Sequence, residues 1–184
     1  QGFSNPNPRR RAGTCLVPVP KGASIKDFRM DVNGKLTKAE LLPADKARKI
    51  YTDIVRSMKD PALLEYAERD LFKVRIFPFE PHGKKTIRLT YNQVLENDAG
   101  LVEYTFPLNT AKYSSKPIED LFIKVELDSK VPVKAIYSPT HDVEVKRKGS
   151  KNAVISFEGK GQQPTTNFSL FYTPKQKDIN VNII

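Results

Sequence analysis

Two alternating segments around Asn33-Gly34 most constrain how this chain of 184 residues can fold. Phe28, Met30 and Val32 alternate with charged residues before the dipeptide, and residues 35–41 follow it as a second segment. Successive side chains of a strand point to opposite faces of a sheet, and Asn-Gly suits a two-residue turn that needs positive φ at both positions. The pattern therefore predicts an antiparallel β-hairpin.

Similar alternation recurs through the rest of the chain, with turn residues between the segments. It predicts further strands at 14–19, 71–77, 86–95, 101–108, 121–127, 131–137, 143–147, 153–158, 168–172 and 179–184. The first of these is expected at a sheet edge or near its own end, because Pro18 and Pro20 cannot donate hydrogen bonds to a neighbouring strand. About ten strands at this spacing favour an antiparallel β-sandwich. We expect a single module over 1–184, with a candidate internal boundary at 111–117.

One segment departs from the β pattern. Residues 44–58 have apolar side chains at the three-and-four spacing of an amphipathic helix, and Asp60-Pro61 ends that pattern. Asp60 is expected to cap a short helical turn that carries residues 62–66 towards the next strand. The expected fold is thus mainly β, with one inserted α-helix. A core cluster joining the helix to the sheet is predicted from Tyr51, Ile54, Leu63, Leu64, Tyr66 and Phe72.

Charge and cysteine content limit the functional classes. The 31 basic and 21 acidic residues give a formal net charge of +10, which suits an anionic partner. The candidate anion-binding residues are Arg9, Arg10, Arg11, Lys84 and Lys85, in short clusters that are otherwise interpreted as solvated faces. Exposed aromatic residues are not interleaved with them, so nucleic-acid binding is not expected. Cys15 is the only cysteine, which excludes an internal disulfide and a cysteine-based zinc site.

The search for catalytic residues does not yield an active site. His82 and His141 each lie in a turn-like segment, and neither has a partner at a recognisable spacing. Residues 37–48 contain none of the glycines of a phosphate-binding loop. We expect no enzyme activity, no cofactor and no bound metal. No stretch is long and apolar enough for a transmembrane helix.

Several motifs together resemble one known family. They are Phe3-Ser4-Asn5-Pro6, Leu16-Val17-Pro18-Val19-Pro20, Ala47-Arg48-Lys49-Ile50-Tyr51, residues 60–66, Leu71-Phe72, Ile76-Phe77-Pro78 and Leu89-Thr90-Tyr91. Their order over residues 3 to 95 resembles the VIT domain, the vault and inter-alpha-trypsin-inhibitor heavy-chain domain, in its bacterial form. The combination is specific, although each piece alone is common.

The resemblance implies a non-catalytic interaction or adhesion-associated module that positions a neighbouring von Willebrand factor A-type domain. Such an A domain holds a cation through an Asp-x-Ser-x-Ser loop, from which Asp128-Ser129-Lys130 departs, so that activity is not carried over. The chain is expected to end before an A domain, and to be secreted or located in the bacterial cell envelope. The alternative is an anionic glycan or lipid-surface binder that uses the basic clusters.

The resemblance also implies an open sheet edge. The family has strand-forming sequence upstream of Phe-x-Asn-Pro, and this chain is expected to lack it. An unpaired strand edge is a template for another strand. A partner peptide, or a second copy in a homo-oligomer, is therefore expected at that edge; the alternative is that the prolines and the Arg9 to Arg11 cluster keep the edge blocked.

Overall fold

The computed structural model describes residues 2–32, 34–38, 62–68, 71–109 and 117–175, which form antiparallel β-sheets. The chain divides into two compact units, Gln1–Val94 and Leu95–Ile184. The mainly β, antiparallel prediction is confirmed. The described residues contain no helix, and the helix predicted over 44–58, with Tyr51 and Ile54, lies outside them.

The first unit contains seven strands in the described part of the chain. They are β1 Gly2–Ser4, β2 Arg11–Pro18, β3 Ser24–Val32, β4 Lys35–Lys38, β5 Ala62–Glu68, β6 Leu71–Phe79 and β7 Lys84–Asn92. One sheet has the order β1-β7-β3-β4 and the other β2-β6-β5. The proline-containing strand β2 is at the end of its sheet, as its sequence predicted.

The Asn33-Gly34 hairpin is confirmed by the register of β3 and β4. Val32 pairs with Lys35, so only two residues connect the strands. Gly34 has a φ of 79°, a value that costs glycine little. Phe28 and Met30 are buried on one face of β3, and Arg29 makes an ion pair with Asp27 on the other.

The core of the first unit is assembled from residues of both of its sheets. Its buried members are Val17, Phe28, Met30, Val74, Phe79 and Ile87. On β7, the buried Ile87 and the partly buried Leu89 alternate with the exposed Arg88 and Thr90, as predicted. Period-two alternation therefore directs one side of each of these strands into a common apolar cluster.

The predicted helical turn over residues 62–66 is wrong. These residues belong to β5, which pairs with β6 and opposes Leu64 to Val74 and Tyr66 to Phe72. The Asp60-Pro61 signal is local, whereas the ladder to β6 pairs the backbone groups on one edge of β5 along its length. The backbone thus brings Leu63, Leu64 and Tyr66 next to the strand of Phe72, and their role in the core stays a prediction.

The second unit also contains seven described strands. They are β8 Asn97–Asp98, β9 Leu101–Phe106, β10 Ile118–Asp128, β11 Val133–Tyr137, β12 Glu144–Lys148, β13 Asn152–Gln162 and β14 Phe168–Pro174. The sheets have the orders β11-β14-β9-β8 and β10-β13-β12. Buried Leu108, Ala153, Ile155, Phe168 and Leu170 form its core. The strands predicted between 101 and 172 are confirmed, with bounds that differ by a few residues.

The count of about ten strands was too low, because the described residues alone form fourteen. β1 and β8 are too short to carry an alternating pattern, and β5 contains the residues for which a helical turn is predicted. The sandwich arrangement stays a prediction. The candidate boundary at 111–117 and the strand at 179–184 lie outside the described residues, apart from Pro117.

Candidate functional site

The most extensive hydrogen-bond network described in the first unit is centred on the buried side chain of Asn5, in the Phe3-Ser4-Asn5-Pro6 motif. Only 6% of Asn5 is exposed. Its Nδ2 atom lies 3.0 Å from each of three carbonyl oxygens, those of Arg9, Phe79 and Glu80. An amide nitrogen carries two hydrogens, so at least one is shared between two acceptors.

The other amide atom and the backbone of this segment extend the network. Asn5 Oδ1 accepts hydrogen bonds from the backbone N–H of Asn7 at 3.1 Å and from its Nδ2 at 3.2 Å. Asn5 N donates to Gly83 O at 3.0 Å, and His82 N donates to Asn7 O at 3.4 Å. We call these contacts the Asn5 network. They join the loop after β1 to the turn between β6 and β7.

Residues 80–83 connect β6 to β7 and include the turn-like segment that the sequence analysis noted around His82. Gly83 N donates to Glu80 O at 3.0 Å, and His82 has a positive φ of 52°. A Cβ atom on Gly83 would lie 3.0 Å from Glu80 O, which is closer than ordinary contacts allow. The glycine is therefore explained by the close approach of the turn to itself.

The fold brings the two predicted basic clusters to the same turn. Ser4 pairs with Lys84 and Phe3 with Lys85, while Arg11 pairs with Phe79 at the end of β6. The two clusters are more than seventy positions apart in the sequence, yet both flank the loop after β1 and the β6–β7 turn, which we call the loop pair. An anion site requires basic side chains that lie close together in this way.

The five candidate anion-binding residues are not equivalent in the structure. Lys85 is only 8% exposed, and Arg10 Nε lies 2.8 Å from Glu80 Oε2. Arg9, Arg11 and Lys84 are exposed, and we call these three residues the basic rim. Exposed charges interact weakly one by one, so an anion would need contacts with several of them together.

A concave region lies in the second unit, around His141. It is a shallow groove of about 420 Å³ lined by residues 136–143 and Val145. The His141 ring makes edge-on contacts with Phe157 and Phe168, at centroid distances of 4.8 and 5.3 Å. Burial against these rings lowers the pKa of His141 below its ordinary value of 6.5, because the charged ring would lose hydration.

The partners of His141 do not form a catalytic arrangement. Its Nδ1 lies 2.9 Å from Thr140 Oγ1, which also accepts a hydrogen bond from Ser169 N at 3.0 Å. A general base oriented by a carboxylate would need an acidic partner at that nitrogen. Within the described ranges, no group of three or more His, Cys, Asp or Glu side chains could hold a metal ion.

Sequence reasoning treated His141 as a loop residue and did not anticipate its aromatic contacts. The rings that it meets come from β13 and β14, sixteen or more positions later in the chain. No local pattern contains that information. In the described part of the chain, no helix is long and apolar enough to cross a membrane.

Comparison with known families bears directly on the first unit. The model of the family described as "Vault protein inter-alpha-trypsin domain" matches residues 1–91, so the match ends close to the division between the two units. A search of curated proteins finds no match. Members of the matched family are non-enzymatic modules that in general take part in protein interactions. Residues 1–91, which make up nearly all of the first unit, are a VIT domain of the vault protein inter-alpha-trypsin family.

Proposed function

We propose that this chain is a non-catalytic interaction module that positions a neighbouring von Willebrand factor A-type domain. The proposal locates the module outside the cell or in the bacterial cell envelope. The family match over residues 1–91 supports the part of the proposal that concerns a non-catalytic interaction module. Domain positioning needs a rigid contact surface, which the first unit offers at its loop pair.

The observation that carries this proposal is the Asn5 network. Buried hydrogen bonds from one side chain hold two loops whose sequence positions differ by as much as 75. Loops ordered in advance lose little conformational entropy when a partner binds, so less of the interaction free energy is spent on ordering them. The same network explains the family motif, because Asn5 donates through its side chain while Pro6 follows without a backbone donor.

Isothermal titration calorimetry of the purified chain with a separately purified von Willebrand factor A domain tests the proposal. We expect saturable binding that persists as salt is raised from about 50 mM to about 300 mM, because apolar and hydrogen-bonded contacts are screened little. Asn5→Asp should weaken this binding, since a carboxylate cannot donate to the three carbonyls. Absence of binding by the intact chain would contradict the proposal.

Asn92→Asp is the matched control for that experiment. Asn92 lies on β7 of the same unit and is exposed, and its side-chain oxygen accepts a hydrogen bond from Lys26 Nζ at 2.9 Å in the favoured amide orientation. A carboxylate keeps that acceptor and loses only the donation to Tyr91 O at 3.3 Å, at an exposed position. The control variant should therefore bind like the unaltered chain.

The basic rim favours a second function, the binding of an anionic glycan or lipid surface. Arg9, Arg11 and Lys84 lie around one loop pair and are exposed. Binding to heparin, or to vesicles that contain phosphatidylglycerol, should fall steeply as salt rises, because exposed charges are screened. This salt dependence separates it from docking to a protein domain.

Two triple variants isolate the contribution of the basic rim. R9A/R11A/K84A and K130A/K134A/K151A each remove three exposed positive charges, but only the first removes the rim. We expect the first to lose heparin or vesicle binding and the second to retain it. Equal losses would indicate a response to net charge alone, and the rim would not be a site.

A further inference from the structure

The outer edge of β10 is the longest open strand edge in the described part of the second unit. β10 ends the sheet order β10-β13-β12 and spans the eleven residues Ile118–Asp128. Its register with β13 is unbroken, from Ile118 opposite Gln162 to Asp128 opposite Asn152. Along its other edge, no described strand pairs with it. The open edge expected from the sequence, beside the first strand of the chain, is a different one.

The other described edges of this unit are short or covered. β8 has two residues, and the five-residue β12 ends in the basic run Lys146-Arg147-Lys148. Next to β11, the Arg147 guanidinium donates to the carbonyl oxygens of Val133 and Lys134 at 2.8 and 2.9 Å. Short length and inserted charge are the usual means of blocking edge pairing. β10, with eleven residues, is longer than each of these edge strands.

The two faces of β10 have different compositions. Leu121, Ile123 and Val125 pack against the core of the unit. The opposite face carries the exposed Asp120, Phe122, Lys124 and Glu126. Phe122 is 61% exposed, more than Tyr137 at 47%.

These residues make β10 complementary to itself. In an antiparallel pair of identical strands related by a two-fold axis, the numbers of opposed residues have a constant sum, and opposed side chains share a face. When Phe122 opposes Phe122, Asp120 opposes Lys124 in both halves of the pair. An aromatic contact is then flanked by two opposite-charge pairs, both of which stabilise cross-strand pairing.

Neighbouring registers fit less well. In a register centred on Lys124, the two copies of Lys124 oppose each other, and Asp120 opposes Asp128. A centre at Val125 pairs Lys124 with Glu126 but leaves Phe122 opposite Asp128. The present contact between Lys124 and Glu126 on one strand is compatible with the first register, since an ammonium group has three donors.

We propose that β10 pairs antiparallel with β10 of a second copy of this chain, centred on Phe122, to form a continuous six-stranded sheet. Main-chain hydrogen bonds along the open edge provide affinity, and the Asp120–Lys124 pairs fix the register. The dimer lies in the second unit and does not rest on the function proposed above. Its formation would present two copies of the VIT domain in one assembly.

Charge reversal tests the register in the full chain by sedimentation analysis over a range of concentrations. D120K and K124D each oppose like charges twice across the axis, and we expect each to weaken dimerisation about tenfold. The double variant D120K/K124D restores opposite charges and should restore the dimer. K134D, an equal reversal at an exposed position outside β10, should leave the dimer unchanged.

Cross-linking supplies a second test that does not depend on charge. In a Cys15→Ser background, which removes the only native cysteine, Phe122→Cys places two thiols opposite each other across the axis. Mild oxidation should give a covalent dimer with Phe122→Cys and much less with Glu126→Cys, whose positions do not face each other. Circular dichroism before oxidation establishes that both variants are folded.

Three results would overturn the proposal. One is an intact chain that stays monomeric up to about 200 µM, because the edge would then have no useful self-affinity. Another is a dimer insensitive to both single reversals, which would locate the interface elsewhere. The third is rescue of K124D by E126K instead of by D120K, which would replace the register centred on Phe122 by the one centred on Val125.

Discussion

The side chain of Asn5 makes hydrogen bonds to two loops. Its amide group contacts the carbonyl oxygens of Arg9, Phe79 and Glu80, and it is almost fully buried. Buried carbonyl groups that lose their donor cost free energy, because water is not there to replace it. The family motif around Asn5 thus has a structural explanation in hydrogen bonding.

Asn5→Asp should destabilise the first unit by about 1–3 kcal/mol, the usual cost of leaving buried polar groups unpaired. The substitution keeps the shape of the side chain and replaces its donor nitrogen by an acceptor oxygen. Urea denaturation measures the free energy of unfolding. Asn92→Asp should change it by less than about 0.5 kcal/mol. Equal effects at the two positions would mean that the Asn5 network contributes nothing specific.

His141 should make the second unit less stable as the pH falls. Its pKa in the folded chain is lowered by burial against Phe157 and Phe168. Between that lowered pKa and the ordinary value of 6.5, the unfolded chain binds more protons than the folded chain, so stability is lost as pH decreases through this window. The contribution is fully present above pH 6.5.

Melting temperatures measured between about pH 7.5 and about pH 5 test this prediction. His141→Phe keeps an aromatic ring and removes the titrating group, so the variant should lose part of the pH dependence. His82→Asn is the control, because His82 is exposed and asparagine accepts its positive φ. If His141→Phe follows the same pH curve as the unaltered chain, the ring does not couple to stability.

At the scale of elements, the β3–β4 hairpin and β5 show how far a local signal extends. The hairpin depends on two turn residues and on alternation within its own strands, all of them neighbours in the sequence. β5 depends on β6, to which it is paired from Ala62–Ile76 to Glu68–Leu71. A turn signal at Asp60-Pro61 could not reveal that ladder.

Gly34→Ala should destabilise the first unit by about 1 kcal/mol. The φ of Gly34 is 79°, a value that strains any residue with a Cβ atom, and no atom lies within 4 Å of the added methyl group. The cost would therefore come from the backbone alone. Gly2→Ala, which also meets no atom within 4 Å and has no positive φ, should have little effect on urea denaturation. Equal losses would contradict the turn conformation.

At the scale of the whole molecule, the chain has two compact units with separate apolar clusters. Each cluster consists of buried residues of its own unit, and all of them lie on strands except Leu108, which follows β9. Met30 in the first unit and Ile155 in the second are both 1% exposed. These two residues allow each core to be weakened independently.

Met30→Ala and Ile155→Ala should each cost about 2–5 kcal/mol, because truncation leaves a cavity in a packed core. In differential scanning calorimetry, each variant should lower the melting temperature of one transition and leave the other in place. Distant sites without shared partners usually behave independently. A single transition that both variants lower equally would show that the two units unfold together.

Features that depend on neighbouring residues can be recognised in the sequence alone. Period-two alternation located most strands, Asn33-Gly34 identified the hairpin, and an ordered set of short motifs identified the family over almost the same residues that its model matches. Strand alternation and turn chemistry act over a few positions, so they can be recognised without knowledge of the fold.

The burial of Lys85 and the long-range contacts of Arg10 and Asn5 follow from the tertiary structure and from no local sequence pattern. Lys84 and Lys85 are adjacent and chemically identical, yet one is exposed and the other is 8% exposed, because β7 presents them to opposite faces. Arg10 makes an ion pair with Glu80, 70 positions later in the sequence, and Asn5 donates a hydrogen bond to the carbonyl oxygen of Glu80, 75 positions later. Such contacts are set by which strands pair and by the register between them, and these depend on the packing of the whole unit.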